Sequence, residues 1–305
     1  MNMDEWKTPE FTVRPSDSFE KQALVQSLKN DTAVHRLFRT QSIPEEELNA
    51  SPYMISRWRT SLEVCRGCQS LNTCRQKKTG YRMGISYDGL LQETLEACPY
   101  ERERLKAESH LAQYTVSDLG PSFRTVSFET IPLDGESGDY VRTVLEVSSL
   151  YEAHQGAYIY GNMGTGKTYL CACAANRAAG EGHSTAFVHY PSFCERIAAT
   201  SYSGEYRREA DLLRAAWMLV IDDIGAEEVT GRNRQVLLSI LDARMQSGKM
   251  TWFSGNGDLN TLQNHLRYSA SGEDTAASDR IIERIRTLAK PVYLDGADRR
   301  SSAAG

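Results

Sequence analysis

The sequence predicts an α/β fold with a five-stranded parallel sheet in the C-terminal half, preceded by a small, mainly helical domain. From residue 126 onward, short apolar runs alternate with helical stretches. One of these runs leads directly into a glycine-rich loop followed by a helix. Upstream, residues 16–60 show apolar side chains at helical spacing instead. Alternating strands and helices are typical of a parallel sheet with helices on both faces.

Five apolar runs are the predicted strands of this sheet. They span residues 157–160, 185–190, 217–221, 251–253 and 291–294. The run at 217–221 is the most apolar stretch of the chain. Helical segments separate the runs, as the crossover connections of a parallel sheet require.

The chain is predicted to divide into two domains. Residues 1–115 contain the helical segments and a cluster of cysteines, and they end in a charged helical stretch. Glycine and proline then interrupt the pattern at 116–125, which we interpret as a linker. Residues 126–305 form the predicted α/β domain.

Composition and charge exclude several classes of protein. The chain is 40% hydrophobic and 25% charged, and it contains no apolar run of about 18 residues that could span a membrane. Its first residues lack the basic-then-apolar plan of a secretory signal, so a cytoplasmic protein is expected. A net charge of −5 argues against coating duplex DNA through bulk charge, although a local basic groove is compatible with it.

A phosphate-binding loop follows the first strand of the α/β domain. The motif G-x-x-x-x-G-K-S/T is matched in full by Gly161, Asn162, Met163, Gly164, Thr165, Gly166, Lys167 and Thr168. Backbone N–H groups of such a loop surround the β-phosphate, and the following helix N-terminus favours negative charge. We expect Lys167 to reach the β- and γ-phosphates of ATP and Thr168 to ligate Mg²⁺.

Carboxylates follow the most apolar strand. Asp222 and Asp223 stand at its end, where side chains of a parallel sheet meet bound ligands. We expect Asp222 to hold Mg²⁺ together with Thr168, and Asp223 to polarise the attacking water. Asn256, just past the strand at 251–253, is a candidate to orient that water or to touch the γ-phosphate. A solvated turn is the alternative interpretation of both Asp223 and Asn256.

Two further groups of side chains are candidates for function. Cys65, Cys68, Cys74 and Cys98 have a spacing that predicts a closed, structural zinc site, and a redox pair at Cys65 and Cys68 is the alternative. Near the C-terminus, Arg280 and Arg284 share one face of a helix, as charges of an ordinary surface helix also do.

The motifs together resemble the DnaI/DnaC group of bacterial replicative helicase loaders, and within it the DnaI branch. The segments that carry the resemblance are GNMGTGKT at 161–168, VIDDIGAE at 220–227, WFSGNGDL at 252–259, NHLRYSASGE at 264–273 and RIIERIRTLAKPVYLDGADRR at 280–300. The resemblance is specific over residues 126–300 and looser over the N-terminal half.

This resemblance implies an AAA+ ATPase domain with further functional residues. Arg280 and Arg284 match the position of an arginine finger that acts on a neighbouring subunit, Asn256 matches sensor 1, and Arg300 matches sensor 2. The N-terminal domain would dock on the hexameric replicative helicase. The ATPase domain would bind single-stranded DNA and assemble with copies of itself when nucleotide is bound.

Two departures and two alternatives remain open at this point. Relatives can carry a histidine where this chain has Arg82, in which case Cys74 is the fourth zinc ligand here or the site is incomplete. Many AAA+ proteins have glutamate at the position of Asp223, and the shorter side chain predicts slow, switch-like hydrolysis. A transposition-helper ATPase of the IstB type shares the ATPase motifs, and a nucleotide-gated binding protein with negligible hydrolysis is the other alternative. Aromatic and basic residues at 190–208 are either base-stacking and phosphate contacts or ordinary helix and core residues.

Overall fold

The computed structural model describes residues 15–270, 272–296 and 298–299, with side chains from Phe19 onward. The chain divides into two compact units between Lys106 and Ala107. None of the helices in the described ranges combines the length and the apolar character needed to cross a bilayer.

The N-terminal unit contains helices and one antiparallel hairpin. Its elements are α1 Pro15–Lys29, α2 Thr32–Gln41, α3 Glu46–Ala50, α4 Pro52–Val64, β1 Tyr81–Tyr87, β2 Leu91–Ala97 and α5 Pro99–Ala107, the last of which ends at the division. The predicted helical character is confirmed. The hairpin, which pairs Tyr81 with Ala97, is not among the predicted elements. Its signal in the sequence is the alternation of apolar and other residues over 81–87, followed by Asp88 and Gly89.

A small apolar core holds the N-terminal unit together. Its fully buried centre is Ile55 of α4, and the surrounding buried side chains are Val25, Leu28, Val34, Ile43, Leu48, Trp58 and Ile85. Asp31 caps α2 by accepting a 2.7 Å hydrogen bond from the backbone N–H of Ala33. Its second oxygen accepts from Arg59 Nε of α4 at 2.5 Å, which ties α2 to α4.

The C-terminal unit is built on one large parallel sheet. Its elements are β3 Tyr114–Ser117, α6 Gly138–Glu152, β4 Gly156–Tyr160, α7 Lys167–Gly180, β5 Thr185–His189, α8 Tyr190–Ala199, α9 Glu205–Ala215, β6 Met218–Asp222, α10 Gly231–Gln246, β7 Met250–Gly255, α11 Leu259–Arg267, β8 Tyr268–Ser269, β9 Gly272–Glu273, α12 Thr275–Leu288 and β10 Ala289–Tyr293. The strand order is β10-β4-β7-β6-β5-β3. The predicted α/β fold and all five predicted strands are confirmed, and β3 adds a sixth strand at the edge.

Helices cover both faces of the sheet. Along β7, Phe253 packs into the cluster formed with α8 to α12, whereas the adjacent Trp252 packs into the cluster formed with α6 and α7. Successive side chains of a strand point to opposite faces, so one strand supplies both apolar layers. Every residue of β6 and β7 is buried, as expected for central strands of a parallel sheet.

Residues 116–125, predicted as a linker, instead run along the sheet edge and α7 within the C-terminal unit. Val116 pairs with Ala186 of β5. The buried Asn176 of α7 donates 2.9 Å hydrogen bonds to the carbonyls of Phe123 and Val126 and accepts one of 2.8 Å from the Tyr114 hydroxyl. The division between the units therefore falls before the predicted boundary at residue 115.

A buried cation fixes the starts of the two central strands. The Arg244 guanidinium is fully buried and donates to the carbonyls of Leu213, Ala216 and Met250 at 2.8, 2.8 and 2.5 Å. Its Nε donates to Thr251 Oγ1 at 2.7 Å. Burial lowers the pKa of Arg244 to about 9, so the side chain is still charged at neutral pH.

Candidate nucleotide-binding site

The glycine-rich loop connects β4 to α7, as predicted. Gly164 has a φ of 80° and Gly166 a φ of 103°, values that favour glycine. A Cβ on Gly164 would also collide with the carboxylate of Asp298, which lies against the loop. Gly166 occupies the N-cap of α7, so the helix N-terminus faces the space enclosed by the loop.

Lys167 is held inside this loop. Its ammonium is buried and donates to the carbonyls of Gly161 and Asn162 at 3.0 and 2.7 Å. The Thr165 hydroxyl, also buried, donates to the same Asn162 carbonyl at 3.0 Å. The loop is therefore shaped by its own polar side chains, and the charge of Lys167 already lies where a phosphate would enter.

Asp222 meets the start of α7 at the end of β6. Its Oδ1 accepts hydrogen bonds from Thr168 Oγ1 at 2.9 Å and from Ser254 Oγ of β7 at 2.5 Å. Burial raises the pKa of Asp222, while the hydrogen bonds from Ser254 and Thr168 act to lower it. The Thr168 hydroxyl and the Asp222 carboxylate are oxygen ligands of the kind that Mg²⁺ prefers, so these residues fit the predicted magnesium site.

Asp223 lies between two polar side chains. It adopts a left-handed conformation with a φ of 57°, and its N–H donates to Ser254 Oγ at 2.9 Å. Asn256 Nδ2 donates to Asp223 Oδ1 at 3.2 Å, and His189 Nε2 lies 4.0 Å from Asp223 Oδ2. The structure thus brings the predicted residues Asp223 and Asn256 together and adds His189 and Ser254 to them.

Sequence reasoning did not single out His189 or the role of Ser254. His189 ends β5 beside Asp222, since the two are register partners in adjacent parallel strands. The sequence shows His189 as a polar residue near the end of the apolar run 185–190. Whether it lies near the nucleotide site depends on the order of the strands, which the sequence alone does not give. In the sequence, the only indication for Ser254 is its position two residues before Asn256.

These residues line one pocket of about 830 Å³. Its polar lining includes the phosphate loop, Asp222, Asp223 and Asn256, and its apolar lining includes Phe123, Ile131, Pro132, Tyr140 and Tyr169. An apolar cleft with a few converging polar groups is the usual form of a small-molecule site. The polar lining suits the phosphates of a nucleotide, and the apolar lining suits its base.

Arg299 also lines this pocket. Its Nη1 and Nη2 donate to the two oxygens of Glu136 at 2.6 Å each, and its guanidinium lies 3.9 Å from the centroid of the Tyr140 ring. Its backbone N–H donates to the carbonyl of Gly164 at 3.0 Å. Arg300, the predicted sensor 2 residue, lies outside the described residues.

The two candidate finger residues lie away from the pocket. Neither Arg280 nor Arg284 of α12 is among the described residues that line it. Arg284 Nε donates to Asp242 Oδ1 of α10 at 2.7 Å, which raises the pKa of Arg284. Arg280 is exposed.

The cysteines of the N-terminal unit do not form the predicted ligand set. Across residues 15–270, 272–296 and 298–299, no group of three or more Cys, His, Asp or Glu side chains is arranged to hold a metal ion. Cys65, Cys68, Cys74 and Cys98 are free and half-buried, and Cys65 Sγ lies 3.2 Å from Gln76 Nε2. Zinc therefore stays a prediction from spacing alone.

Part of the aromatic set at 190–208 belongs to the core. Tyr190 and Phe193 are 2% and 0% exposed, which removes them as base-stacking candidates. Tyr202 is fully exposed between α8 and α9, and Arg207 and Arg208 follow on α9.

Two of the motif segments meet on one side of the site. Glu227, in the loop after β6, is 5% exposed, and its Oε1 lies 3.4 Å from His265 Nε2 of α11. The carboxylate of Glu227 raises the pKa of His265. This contact joins the loop that follows Asp223 to the helix that follows Asn256.

A parallel sheet with a phosphate loop, a buried acid after the adjoining strand and a polar amide beside it defines a P-loop ATPase of the AAA+ type. The family model for IstB-like ATP-binding proteins matches residues 76–300. The chain belongs to this family.

Comparisons with individual proteins confirm the predicted resemblance. The chain is 27% identical over 303 residues to the replicative helicase loader DnaI of Bacillus subtilis (strain 168), covering 96% of this chain and 95% of that protein. It matches a crystal structure of DnaI with a TM-score of 0.53 and 25% identity, covering 60% of this chain and 98% of that one. A proposed primosome component from Streptococcus pyogenes serotype M3 matches with a TM-score of 0.51 and 29% identity, covering 63% and 98%.

Proposed function

We propose that this ATPase delivers a replicative DNA helicase onto single-stranded DNA. The observation that carries the proposal is the extent of the similarity to the loader DnaI, which covers 96% of this chain and so includes the N-terminal unit. The IstB-like family model, in contrast, begins at residue 76. A shared ATPase domain alone would not account for the similarity to DnaI in the residues before position 76.

The nucleotide site supports a role as a slow switch. Lys167 would bind the β- and γ-phosphates of ATP, and Thr168 and Asp222 would hold Mg²⁺, which neutralises charge on the phosphates. Asp223 would orient the attacking water, with Asn256 fixing the Asp223 carboxylate through the 3.2 Å contact. The short side chain of Asp223 keeps the water farther from the acid than glutamate would, so hydrolysis is slow.

Assembly would complete this site. Arg284 or Arg280 would reach the γ-phosphate of a neighbouring subunit, since neither is among the described residues of its own pocket. Arg284 first has to leave Asp242. Both members of that pair are partly exposed, and exposed ion pairs contribute little to stability, so the exchange is inexpensive. Nucleotide would thereby control self-assembly and contact with DNA.

The two units would divide the remaining tasks. The N-terminal unit would dock on the hexameric helicase, and the ATPase unit would bind single-stranded DNA. Tyr202, Arg207 and Arg208 are the exposed members of the aromatic and basic set in the ATPase unit that could stack on bases and follow phosphates.

A reconstituted loading reaction tests this function. Purified chain, ATP and replicative helicase are mixed with circular single-stranded DNA carrying an annealed oligonucleotide, and displacement of the oligonucleotide is followed. The chain should accelerate displacement, and Lys167→Ala should abolish the acceleration. Lys290→Ala is the matched control, because Lys290 is exposed, pairs with Glu146 and is not among the described residues that line the nucleotide pocket.

The family match makes a transposition-helper ATPase the second candidate. Binding to a transposase, with neither binding to the helicase nor acceleration of displacement, would overturn the loader proposal in favour of that candidate.

A further inference from the structure

The N-terminal unit contains a local concentration of positive charge that the proposed function does not use. Residues 64–87 contain five basic residues and no acidic residue: Arg66, Arg75, Lys77, Lys78 and Arg82. Residues 1–106 as a whole are nearly balanced, with 16 basic and 15 acidic residues. The excess is therefore confined to one segment.

The fold turns this segment into the wall of a groove of about 740 Å³. One side of the groove is α4, including Thr60 and Ser61, and the other is the hairpin of β1 and β2. Gln76 fixes the basic segment to α4 by donating to the Ser61 carbonyl at 2.7 Å. Ser61 Oγ in turn accepts from the backbone N–H of Met83 in β1 at 3.1 Å. These hydrogen bonds hold the basic segment and β1 against α4, so the backbone that carries the basic side chains is fixed in place.

The acids near this groove are already paired. Glu93 pairs with Arg57, and Glu96 pairs with Arg82 at 3.4 Å. Glu101, which lies near Lys78, is held by Arg104 Nη2 at 2.7 Å. Each of these acids thus has an arginine partner, and none of those partners belongs to the segment 75–78.

Two of the three cations of the segment 75–78 have no acidic partner among the described residues, whereas Lys78 lies near Glu101. Arg75 and Lys77 are exposed, and neither forms an ion pair with any residue of the described ranges. Lys78 lies 4.0 Å from the centroid of the Tyr81 ring, a cation–π contact that holds its ammonium at the groove. The Thr60 hydroxyl donates to the Ser56 carbonyl of its own helix at 3.0 Å, and the exposed side chain of Leu95 adds an apolar surface to the lining.

We propose that this groove binds the sugar–phosphate backbone of single-stranded nucleic acid, as a second nucleic-acid surface separate from the ATPase unit. Closely spaced cations, two of them without an acidic partner, fit the regular charges of a phosphate backbone. A single strand can bend into the concavity between a helix and a hairpin, whereas a stiff duplex can touch only its rim.

The test is fluorescence anisotropy of labelled oligo(dT) with the full-length chain, without nucleotide and in a Lys167→Ala background. That background removes nucleotide-dependent binding by the ATPase unit, so the two surfaces are separated. Each phosphate contact to a single strand contributes about 0.7 to the slope of log affinity against log salt. Lys77→Ser/Lys78→Ser should reduce the slope by about 1.4 and the affinity near 0.1 M salt by about 25-fold.

Matched variants distinguish the groove from net charge and from folding. Lys21→Ser/Lys29→Ser removes two exposed lysines from α1 of the same unit and should bind like the parent. Lys77→Arg/Lys78→Arg keeps both charges and should retain affinity. Equal losses in the two serine variants, or no loss in either, would overturn the proposal. Stronger competition by duplex DNA than by single strands would also overturn the proposal. Stronger competition by an acidic polypeptide would overturn it too, and would assign the groove to a protein partner.

Discussion

The Ser254 hydroxyl is placed to support both acids of the nucleotide site. It donates to Asp222 Oδ1 at 2.5 Å and accepts from the backbone N–H of Asp223 at 2.9 Å. Ser254→Ala should therefore weaken Mg²⁺-dependent nucleotide binding and hydrolysis together. The serine is 1% exposed, so water cannot replace the lost hydroxyl without rearrangement of the strand.

The size of the effect follows from these contacts. Losing a hydrogen bond to a buried carboxylate costs about 1.5–3 kcal/mol. For a unit of the size of residues 107–305, each kcal/mol lowers Tm by about 2–4 °C, so a fall of roughly 3–12 °C is expected. If about half of the lost energy appears in the affinity for Mg²⁺·ATP, that affinity falls by about 3- to 12-fold, since a factor of ten corresponds to about 1.4 kcal/mol.

Ser278→Ala supplies the control for this prediction. Ser278 is fully buried in α12, and its hydroxyl donates to the Thr275 carbonyl at 2.9 Å, away from the nucleotide pocket. Thermal unfolding, titration with a fluorescent ATP analogue with and without Mg²⁺, and steady-state hydrolysis are measured for both variants. If Ser254→Ala loses stability like Ser278→Ala but keeps the parental Mg²⁺·ATP affinity and kcat, the supporting role of Ser254 is wrong.

Four further predictions concern single side chains. Lys167→Ala should lower the affinity for a fluorescent nucleotide on the order of 100-fold, because it removes the one ammonium inside the described phosphate loop, and unchanged affinity would contradict the site. The Arg284→Ala variant should bind ATP normally yet hydrolyse it up to about 10³-fold more slowly. Mixing it with the Lys167→Ala variant should restore activity where an intact Arg284 meets an intact phosphate loop. No recovery on mixing would argue against action between subunits. Elemental analysis of the purified full-length chain should find about one zinc per chain. The zinc content of the Cys74→Ser variant tests whether Cys74 is a ligand. A folded, metal-free chain would refute the zinc site. Arg244→Met should lower the free energy of unfolding in urea by about 3–5 kcal/mol, because four acceptors lose a buried charged donor, and a change below about 1 kcal/mol would show that those acceptors find other partners.

Local sequence signals predicted the sheet and the phosphate site well. The phosphate loop requires only a strand, eight consecutive residues and the start of a helix, so one short stretch of sequence is enough to predict it. Asp222 and Asn256 follow apolar strands, and the carboxyl ends of parallel strands share one edge of the sheet. The meeting of Thr168, Asp222 and Asp223 could therefore be expected before any coordinates were known.

Features that depend on distant parts of the chain were not predictable. Arg299 and Glu136 are 163 residues apart, and neither has a neighbour in sequence that reveals the pairing. The edge strand at 114–117 is only four residues long and lies close to glycine and proline, so it resembled a linker. Zinc stays a prediction from the cysteine spacing, because spacing alone does not show whether the connecting residues bring the four thiols together.

The contacts of Arg299 give a route for thermodynamic linkage between the segment at 298–299 and the nucleotide. One residue joins Glu136, Tyr140 and the Gly164 carbonyl, so the segment rests on the same loop that receives the phosphates. If nucleotide changes the free energy of this docking, any molecule that holds or removes the segment must change nucleotide affinity by the same factor. A partner could then read or reset the nucleotide state from outside the pocket, without touching the phosphates.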